Sequence, residues 1–195
     1  MNTILFDLDG TLLPMDLGGF LDTYSKVLKS RMAEAGFEAE VVWDALGKGI
    51  QAMLENEGVL TNEDMFLKTF DELMGEKSRK IQRELEKFYR KDFSVTKLNT
   101  QPTPYAEETI SLLKEKGYTL VLATNPVFPE IATMQRIQWA GLTPEDFALI
   151  TTYENTCYTK PNLNYYRKIL KTLQKQPEDC LMVGNDVDED MCIMK

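Results

Sequence analysis

Acidic and polar residues come directly after short apolar runs of this sequence, at the points where β-strands would end. Those with this placement are Asp7 and Asp9 near the start, Thr124 and Asn125 in the second half, and Gly184, Asn185 and Asp186 near the end. In an open parallel sheet the carboxyl ends of the strands share one edge, and ligands bind there. We therefore expect these three segments to bring carboxylates, a hydroxyl and an amide to one place. Lys160 lies in a loop after a further apolar run and can reach the same edge.

Together these groups could carry out phosphoryl transfer. Converging carboxylates repel one another unless a hard divalent cation binds them, and ligation by oxygen alone favours Mg²⁺. Asp7 could attack phosphorus to give an aspartyl-phosphate, and Asp9 could protonate the leaving alkoxide and then deprotonate the incoming water. The Thr124 hydroxyl, the Asn125 backbone N–H and the Lys160 ammonium would neutralise charge on the phosphoryl oxygens.

The elements that must position these residues are those of an α/β fold. Near both ends of the chain, short apolar runs alternate with helical patterns, which is typical of a Rossmann-like parallel sheet with helices on both faces. The predicted strands are Thr3–Phe6, Tyr118–Ala123, Phe147–Thr151 and Cys180–Val183. The predicted helices between them are Tyr105–Lys116, Pro129–Ala140 and Asn162–Gln174.

The segment between the first two strands has a different pattern. From residue 15 to residue 98 apolar residues recur at helical spacing, and no strand pattern interrupts them. We predict a catalytic core of residues 1–14 and 99–195, with residues 15–98 inserted as an all-helical domain. Gly and Pro residues flank both crossings and suit a pair of hinges.

Composition excludes several classes of function. The chain has no histidine, which rules out His-ligated zinc, Ser-His-Asp triads and phosphohistidine intermediates. The formal net charge of −9 argues against nucleic-acid binding, which needs clustered Lys and Arg. No apolar stretch approaches the ~20 residues that cross a bilayer, and no signal peptide is evident. We therefore expect a cytoplasmic protein without nucleic-acid or membrane partners.

Four segments resemble the signatures of the haloacid dehalogenase-like hydrolase superfamily, in the family's order. Asp7-Leu8-Asp9-Gly10-Thr11-Leu12 is similar to the first signature. Thr124 in Leu-Ala-Thr-Asn-Pro is similar to the second, Lys160-Pro161 to the third, and the acidic run from Gly184 to Asp190 to the fourth. The helical insertion between the first and second signatures corresponds to the family's C1-type cap, which usually closes over small soluble substrates.

The resemblance implies roles for the first signature. Asp7 would be the nucleophile and a metal ligand. Asp9 would be the general acid and base and would offer its backbone carbonyl to Mg²⁺. Gly10 and Thr11 would shape a tight turn that moves with cap opening. Dehalogenases and phosphonate hydrolases of the superfamily carry another residue at the position of Asp9, so the resemblance implies a phosphatase acting on a small phosphorylated metabolite.

The resemblance also implies roles for the later signatures. Thr124 and Lys160 would hold the phosphoryl group, and Asp190 would be a further metal ligand or an orienting carboxylate. An Asp usually follows Gly directly in the fourth signature, where this chain has Asn185. The first metal ligand there is either Asp186, with Asp190 four residues on, or Asn185, with Asp190 five on. A carboxylate is the better ligand for a hard cation, which favours Asp186.

Rival functions remain open from the sequence. A sugar-phosphate phosphomutase would use the same aspartyl-phosphate and return the phosphoryl group to a bound intermediate. A catalytically idle relative would use its cap to bind a partner. A phospho-accepting receiver domain also uses Asp, Thr, Lys and Mg²⁺, but its order of motifs differs and it has no room for the insertion. The chain ends five residues beyond Asp190, where family cores commonly continue, so we expect a sheet one strand short or a truncated chain.

Overall fold

The computed structural model describes residues 1–194 as a parallel sheet with helices on both faces and a helical segment inserted after the first strand. The strands are β1 (Thr3–Phe6), β2 (Thr119–Leu122), β3 (Leu149–Ile150) and β4 (Cys180–Val183). The α-helices are α1 (Leu17–Glu34), α2 (Ala39–Leu54), α3 (Asn62–Met74), α4 (Ser78–Lys87), α5 (Pro104–Glu115), α6 (Glu130–Trp139) and α7 (Leu163–Leu173). A π-helical turn (Phe88–Asp92) and a 3₁₀-helix (Phe93–Asn99) end the inserted segment. Shorter 3₁₀ turns span Gly75–Lys77, Pro144–Asp146, Pro177–Asp179 and Met191–Met194.

The strand order β3-β2-β1-β4 places β1 between β2 and β4. Phe6, the last residue of β1, pairs with Leu122 of β2 and Val183 of β4, so the three strands end in register. After β3 the chain crosses to the far side of β1, which makes the gap between β1 and β4 a topological switch point. In such sheets ligands bind at the carboxyl ends of the strands beside the switch point. The topology therefore brings the segments after β1, β2 and β4 to one edge.

Alternation along the strands divides the apolar side chains between two layers. On one face, Ile4, Phe6, Leu120 and Leu122 belong to a cluster with α5, α6 and the inserted helices. On the other, Leu5, Val121 and Met182 pack with Tyr165, Tyr166 and Ile169. Because both faces are covered, the strands are almost continuous apolar runs, as parallel strands usually are.

The helical insertion, from Leu17 to Asn99, has an aromatic interior that continues into the core. Phe128, in the loop before α6, lies 5.7 Å from Tyr24 and 6.2 Å from Phe93 between ring centroids. Phe93 also stacks on Trp139 of α6 at 5.4 Å. These contacts make the insertion and one face of the sheet parts of one apolar cluster.

Asn62, the first residue of α3, ties the insertion to two loops of the core. Its side chain is fully buried, and Nδ2 donates to the carbonyls of Pro126 (3.2 Å) and Tyr158 (3.3 Å). Its backbone N–H donates to the carbonyl of Thr156 (2.8 Å). Thr61 caps the helix by accepting from the Asp64 N–H (3.0 Å), so the tether is held at a fixed helix end.

The two crossings between core and insertion lie side by side. Met15 and Thr100 form an antiparallel bridge, and the Gln101 N–H donates to the Pro14 carbonyl at 2.7 Å. Within residues 1–194, no helix combines the length and apolar character needed to span a membrane.

The α/β prediction with an inserted helical segment is confirmed, with differences at the ends of elements. β3 has only two residues where the sequence predicted Phe147–Thr151. As an edge strand it pairs with β2 alone, so only a short part meets a partner. The turn at Pro144–Asp146 has a capping box, with Thr143 and Asp146 bonded reciprocally.

Candidate active site

Asp7 occupies the centre of the candidate site because it directly follows β1, the central strand. Its backbone N–H donates to the Val183 carbonyl at 2.9 Å, which extends the pairing of β1 with β4 by one residue. Its side chain is 10% exposed. The carboxylate is therefore fixed at the end of the sheet and shielded from most of the solvent.

Lys160 joins carboxylates from both ends of the chain. Its Nζ lies 2.8 Å from Oδ1 of Asp7 and 2.6 Å from Oδ1 of Asp190, and its side chain is fully buried. The Lys160 backbone N–H donates to Oδ1 of Asn125 (3.2 Å), which fixes the loop that carries it. Breaking a buried pair of this kind typically costs about 3–5 kcal/mol, because it leaves a charge without compensation.

Burial raises the pKa of the Asp7 carboxyl above its ordinary value. The ammonium of Lys160 opposes this shift, while the negative charges of Asp190 and Asp9 add to it. The environment of Asp7 thus favours the arrival of further positive charge, which would stabilise the ionised, nucleophilic form.

Thr11 connects the first and fourth segments. Its hydroxyl is 3.2 Å from Oδ2 of Asp7 and 3.2 Å from Oδ1 of Asn185. Gly10, with φ of +89°, lets the Asn185 side chain come close, since a Cβ on Gly10 would lie 2.6 Å from its Nδ2. Asn185 therefore adjoins the loop that carries Asp7.

Asp186 has a different environment from Asn185. It is exposed, and its Oδ1 accepts hydrogen bonds from the backbone N–H groups of Asp188 and Glu189, both at 2.8 Å. In this structure its carboxylate caps the turn after β4.

Asp190 is buried beneath the same turn. Its Oδ2 accepts from the Asp186 N–H at 3.1 Å, while its Oδ1 contacts Lys160. Its carboxylate packs directly on Gly184, where a Cβ would overlap it. The residue type at position 184 thus determines where Asp190 can lie.

Asp9 forms an ion pair with Arg136 of α6. Arg136 is 1% exposed and lies among the buried residues of that helix, Ala132, Thr133, Ile137 and Trp139. Arg136 was not among the residues predicted for the site. A charged residue at a core-facing position of the predicted helix was the available signal.

Thr124 and Asn125 follow the end of β2, the strand next to β1. Thr124 is 2% exposed, and its backbone carbonyl accepts from the hydroxyls of Thr151 and Tyr165, both at 2.9 Å. The Asn125 side chain also helps to hold the site together, because its Nδ2 donates to Oε1 of Glu189 at 3.0 Å. Burial raises the pKa of Glu189, an effect opposed by Lys160 and by this hydrogen bond.

The chemistry of the donors fits a hard divalent cation. Asp7, Asn185 and Asp190 carry side-chain oxygen atoms near one strand end, and oxygen is the donor type that Mg²⁺ prefers. Across residues 1–194, no group of three or more His, Cys, Asp or Glu side chains has the spacing of a formed metal site. Lys160 holds Asp7 and Asp190 together, while Asp9 and Asp186 bond elsewhere.

A cavity of about 830 Å³ lies between the insertion and the core. Its lining is mainly aromatic and aliphatic and includes Trp43 and Phe66 from the insertion, with Phe128 and Tyr153 from the core. The Phe128 ring also lies 4.6 Å from the guanidinium carbon of Arg136, the partner of Asp9. Phe128 therefore lies both in the cavity wall and against the arginine that pairs with Asp9.

Comparison with known proteins matches residues 1–191 to the family described as haloacid dehalogenase-like hydrolase. A phosphoglycolate phosphatase of Agrobacterium fabrum is 28% identical over 195 residues, covering 95% of this chain and 72% of that protein. A glyceraldehyde 3-phosphate phosphatase of Methanothermobacter thermautotrophicus is 24% identical, covering 98% of this chain and 80% of the relative. The pyrophosphatase PpaX of Bacillus cereus is also 24% identical, covering 95% and 75%.

Solved structures show the same fold. A 2-haloacid dehalogenase from Pseudomonas syringae superposes with a TM-score of 0.61 at 19% identity, covering 97% of this chain and 80% of that one. A HAD phosphatase from Thermococcus onnurineus gives 0.53 at 20% identity, also covering 97% and 80%.

Proposed function

Because the chain belongs to the haloacid dehalogenase-like hydrolases, we propose that it is a Mg²⁺-dependent phosphatase whose nucleophile is Asp7. Within that family it is a phosphatase of small phosphorylated metabolites, in keeping with the phosphatases it resembles. We propose in addition that it binds Mg²⁺ and forms a covalent aspartyl-phosphate through the residues named below.

The observation that carries the proposal is the buried contact of Lys160 with Asp7 and Asp190. It joins acids from opposite ends of the chain at the end of the central strand. A structural role alone does not need two carboxylates and an ammonium away from water, because such burial carries a large desolvation cost.

In the proposed reaction, an Asp7 oxygen attacks phosphorus and the bond from phosphorus to the ester oxygen breaks. Asp9 gives its proton to the departing alkoxide, so a neutral alcohol leaves. Asp9 then removes a proton from water, whose oxygen attacks phosphorus. The bond to Asp7 breaks, which releases orthophosphate and restores the free carboxylate.

The other predicted residues support this exchange. Thr124, Asn125 and the Lys160 ammonium hold the phosphoryl oxygens and compensate their charge. When bound, Mg²⁺ would supply Lewis-acid stabilisation of the phosphoryl oxygens and relief of repulsion among the acids.

We propose that Asp7, the Asp9 carbonyl, Asp190 and one residue of the Gly184–Asp190 turn hold Mg²⁺. Sequence reasoning favoured Asp186 as that last ligand over Asn185. The contact of Asn185 with Thr11 at 3.2 Å favours Asn185 instead, because Thr11 also contacts Asp7. Asp186 would then keep its role as a cap of the turn.

We assign residues 15–98 to the cap and residues 1–14 and 99–195 to the catalytic core. The paired crossings at Met15 and Thr100 support this division. The apolar cavity between the two parts offers space for the organic part of a substrate.

The direct test is phosphate release from a panel of metabolite monoesters and an aryl phosphate. With Mg²⁺ present, the wild-type protein should release phosphate from at least one ester. Asp7→Asn should abolish turnover in a protein that stays folded, since the amide is a poor nucleophile of nearly the same shape and Asp190 still compensates Lys160. Asp188→Asn, which changes an exposed acid of the same acidic run, is the matched control and should keep full activity.

Turnover that survives EDTA would contradict the metal requirement, and turnover by Asp7→Asn would contradict the nucleophile. An isomerised sugar phosphate in place of free phosphate would instead identify a phosphomutase.

A further inference from the structure

Arg136 is a buried cation held from several sides. Its Nε donates to the Ala132 carbonyl (3.3 Å) and its Nη2 to the Thr133 hydroxyl (3.2 Å). The Phe128 ring covers the guanidinium carbon at 4.6 Å. Its remaining terminal nitrogen, Nη1, donates to Oδ2 of Asp9. Helix α6 and Phe128 thus fix the orientation of the guanidinium group independently of Asp9.

The two oxygens of the Asp9 carboxylate differ as a result. Oδ2 accepts from Arg136, whereas Oδ1 is buried and has no hydrogen-bond partner among residues 1–194. Buried carboxylate oxygens without a partner are rare, since each forfeits its hydration. An oxygen kept in that state is available to a group that arrives during a reaction.

We propose that Arg136 is a positioning residue for Asp9: it donates a hydrogen bond to Oδ2, so that Oδ1 is the atom that exchanges protons. The inference rests on the proposed function, in which Asp9 protonates the leaving oxygen and then deprotonates water. Arg136 is not itself a proton donor, because a guanidinium stays charged in proteins. It fixes the χ angles of Asp9, and its planar group, bonded to α6, limits the carboxylate to one orientation.

A purely structural explanation accounts less well for these contacts. A buried ion pair is often no more stabilising than apolar residues of the same volume, so packing of α6 alone does not call for an arginine there. A pairing made only for stability would satisfy both carboxylate oxygens, yet Oδ1 of Asp9 has no partner among residues 1–194. The Asp9 side chain as a whole is 25% exposed.

The test compares two phosphate esters that differ in their need for a general acid. Glycerol phosphate releases a basic alkoxide, which needs a proton, whereas dinitrophenyl phosphate releases a stable phenolate, which does not. In Arg136→Met, kcat/KM for glycerol phosphate, which reports the step in which the alcohol leaves, should fall roughly 10- to 100-fold, as expected when a catalytic group is displaced by about 1 Å. The kcat/KM for dinitrophenyl phosphate should fall less than about threefold, because its leaving group needs no proton and Arg136 contacts no substrate. The kcat values are not compared, because both esters share the hydrolysis of the same aspartyl-phosphate, a step that also uses Asp9.

Further variants separate positioning from folding. Arg136→Lys keeps the buried charge but not the planar group, and it should show the same preference for the activated ester in a stably folded protein. Asp9→Asn should show a larger loss on glycerol phosphate, and adding Arg136→Met to it should cause little further loss. Arg167→Met, which removes an exposed arginine of α7 that bonds Asn164, is the control and should leave both rates unchanged.

Equal losses on the two esters in Arg136→Lys, or additive losses in the double variant, would overturn this inference while leaving the phosphatase proposal intact. If the wild-type protein released phosphate from neither ester nor any other monoester, the proposed function would fail and the inference with it.

Discussion

Lys160 compensates two carboxylates at once, and the site depends on this single side chain. With Asp7 on one side and Asp190 on the other, its ammonium offsets repulsion between acids that come from distant parts of the chain. Its own position depends on Asn125, which accepts from its backbone N–H. Asn125 also bonds Glu189, so the loops after β2, β3 and β4 are linked through polar contacts around one lysine.

Gly184→Ala should slow the enzyme by displacing Asp190, although Gly184 itself carries no reacting group. The new Cβ would overlap the Asp190 carboxylate, which has to move and give up its contact with Lys160. We expect kcat to fall by roughly 10- to 100-fold, the range for a catalytic group displaced by about 1 Å. Phosphate-release kinetics at saturating Mg²⁺ measure this loss.

Gly18→Ala is the control for that variant, because its Cβ would meet only Asp16, at an ordinary 3.5 Å. Wild-type kcat in Gly184→Ala would show that Asp190 can shift without consequence, and its assignment to the site would then be wrong.

At the site, sequence reasoning was strongest where strands end. It expected Asp7, Lys160 and the turn after β4 to converge, because parallel strands share one edge, and the structure brings Asp7, Lys160 and Asp190 into contact. It did not find Arg136, since a lone arginine in a helical pattern is most often solvated. Nor could it place the Asn125 side chain, whose contacts depend on how three loops meet.

Helix α2 carries two glycines with opposite surroundings. A Cβ on Gly49 would lie 2.6 Å from Cε2 of Phe66 in α3, whereas a Cβ on Gly47 would meet nothing within 4 Å. The close approach of α2 and α3 therefore depends on the absence of a side chain at position 49. Position 47 has no such requirement.

Gly49→Ala should destabilise the protein by about 1–3 kcal/mol, the usual cost of overpacking. Gly47→Ala, the matched control, should instead stabilise it by about 0.5–1 kcal/mol, because alanine is the better helix former. Urea unfolding followed by circular dichroism measures both. A stable Gly49→Ala would show that the Phe66 ring can rotate away, and that the packing of α2 on α3 is less constrained than described.

Elements with strong periodicity were predictable, and those set by tertiary partners were not. The sequence indicated α5, α6 and α7 to within a residue or two of their ends, because apolar spacing and capping residues mark them. It gave no sign of the π-helical turn at Phe88–Asp92, where Phe88 and Phe93 both turn into the aromatic cluster. The length of β3 is likewise set by its neighbour, not by its own residues.

For the whole molecule, the tether at Asn62 holds the insertion on the core. Asn62→Asp would replace an amide that donates to two carbonyls by a carboxylate that repels them. We expect a loss of at least about 2 kcal/mol in unfolding free energy, because a buried carboxylate would face two carbonyl oxygens, with the Asn56 amide still donating to Oδ1. Cleavage within the insertion by a protease should become faster as the insertion detaches.

Asn164→Asp is the control for the tether. This asparagine also lies at a helix start, but its Oδ1 only accepts from Arg167, which a carboxylate can also do, so the change should stay within about 0.5 kcal/mol. Unchanged stability and protection in Asn62→Asp would mean that apolar contacts alone hold the two parts together.

The ring of Phe128 is surrounded by side chains that precede it by several dozen positions, Phe20, Tyr24 and Phe93 among them. Exchange of residues 15–98 for the corresponding segment of a relative would therefore leave mismatched partners at the join. A working chimera has to carry Phe128 and Trp139 along with the donor helices. For this chain, the unit that evolution or an engineer can trade is larger than the inserted stretch itself.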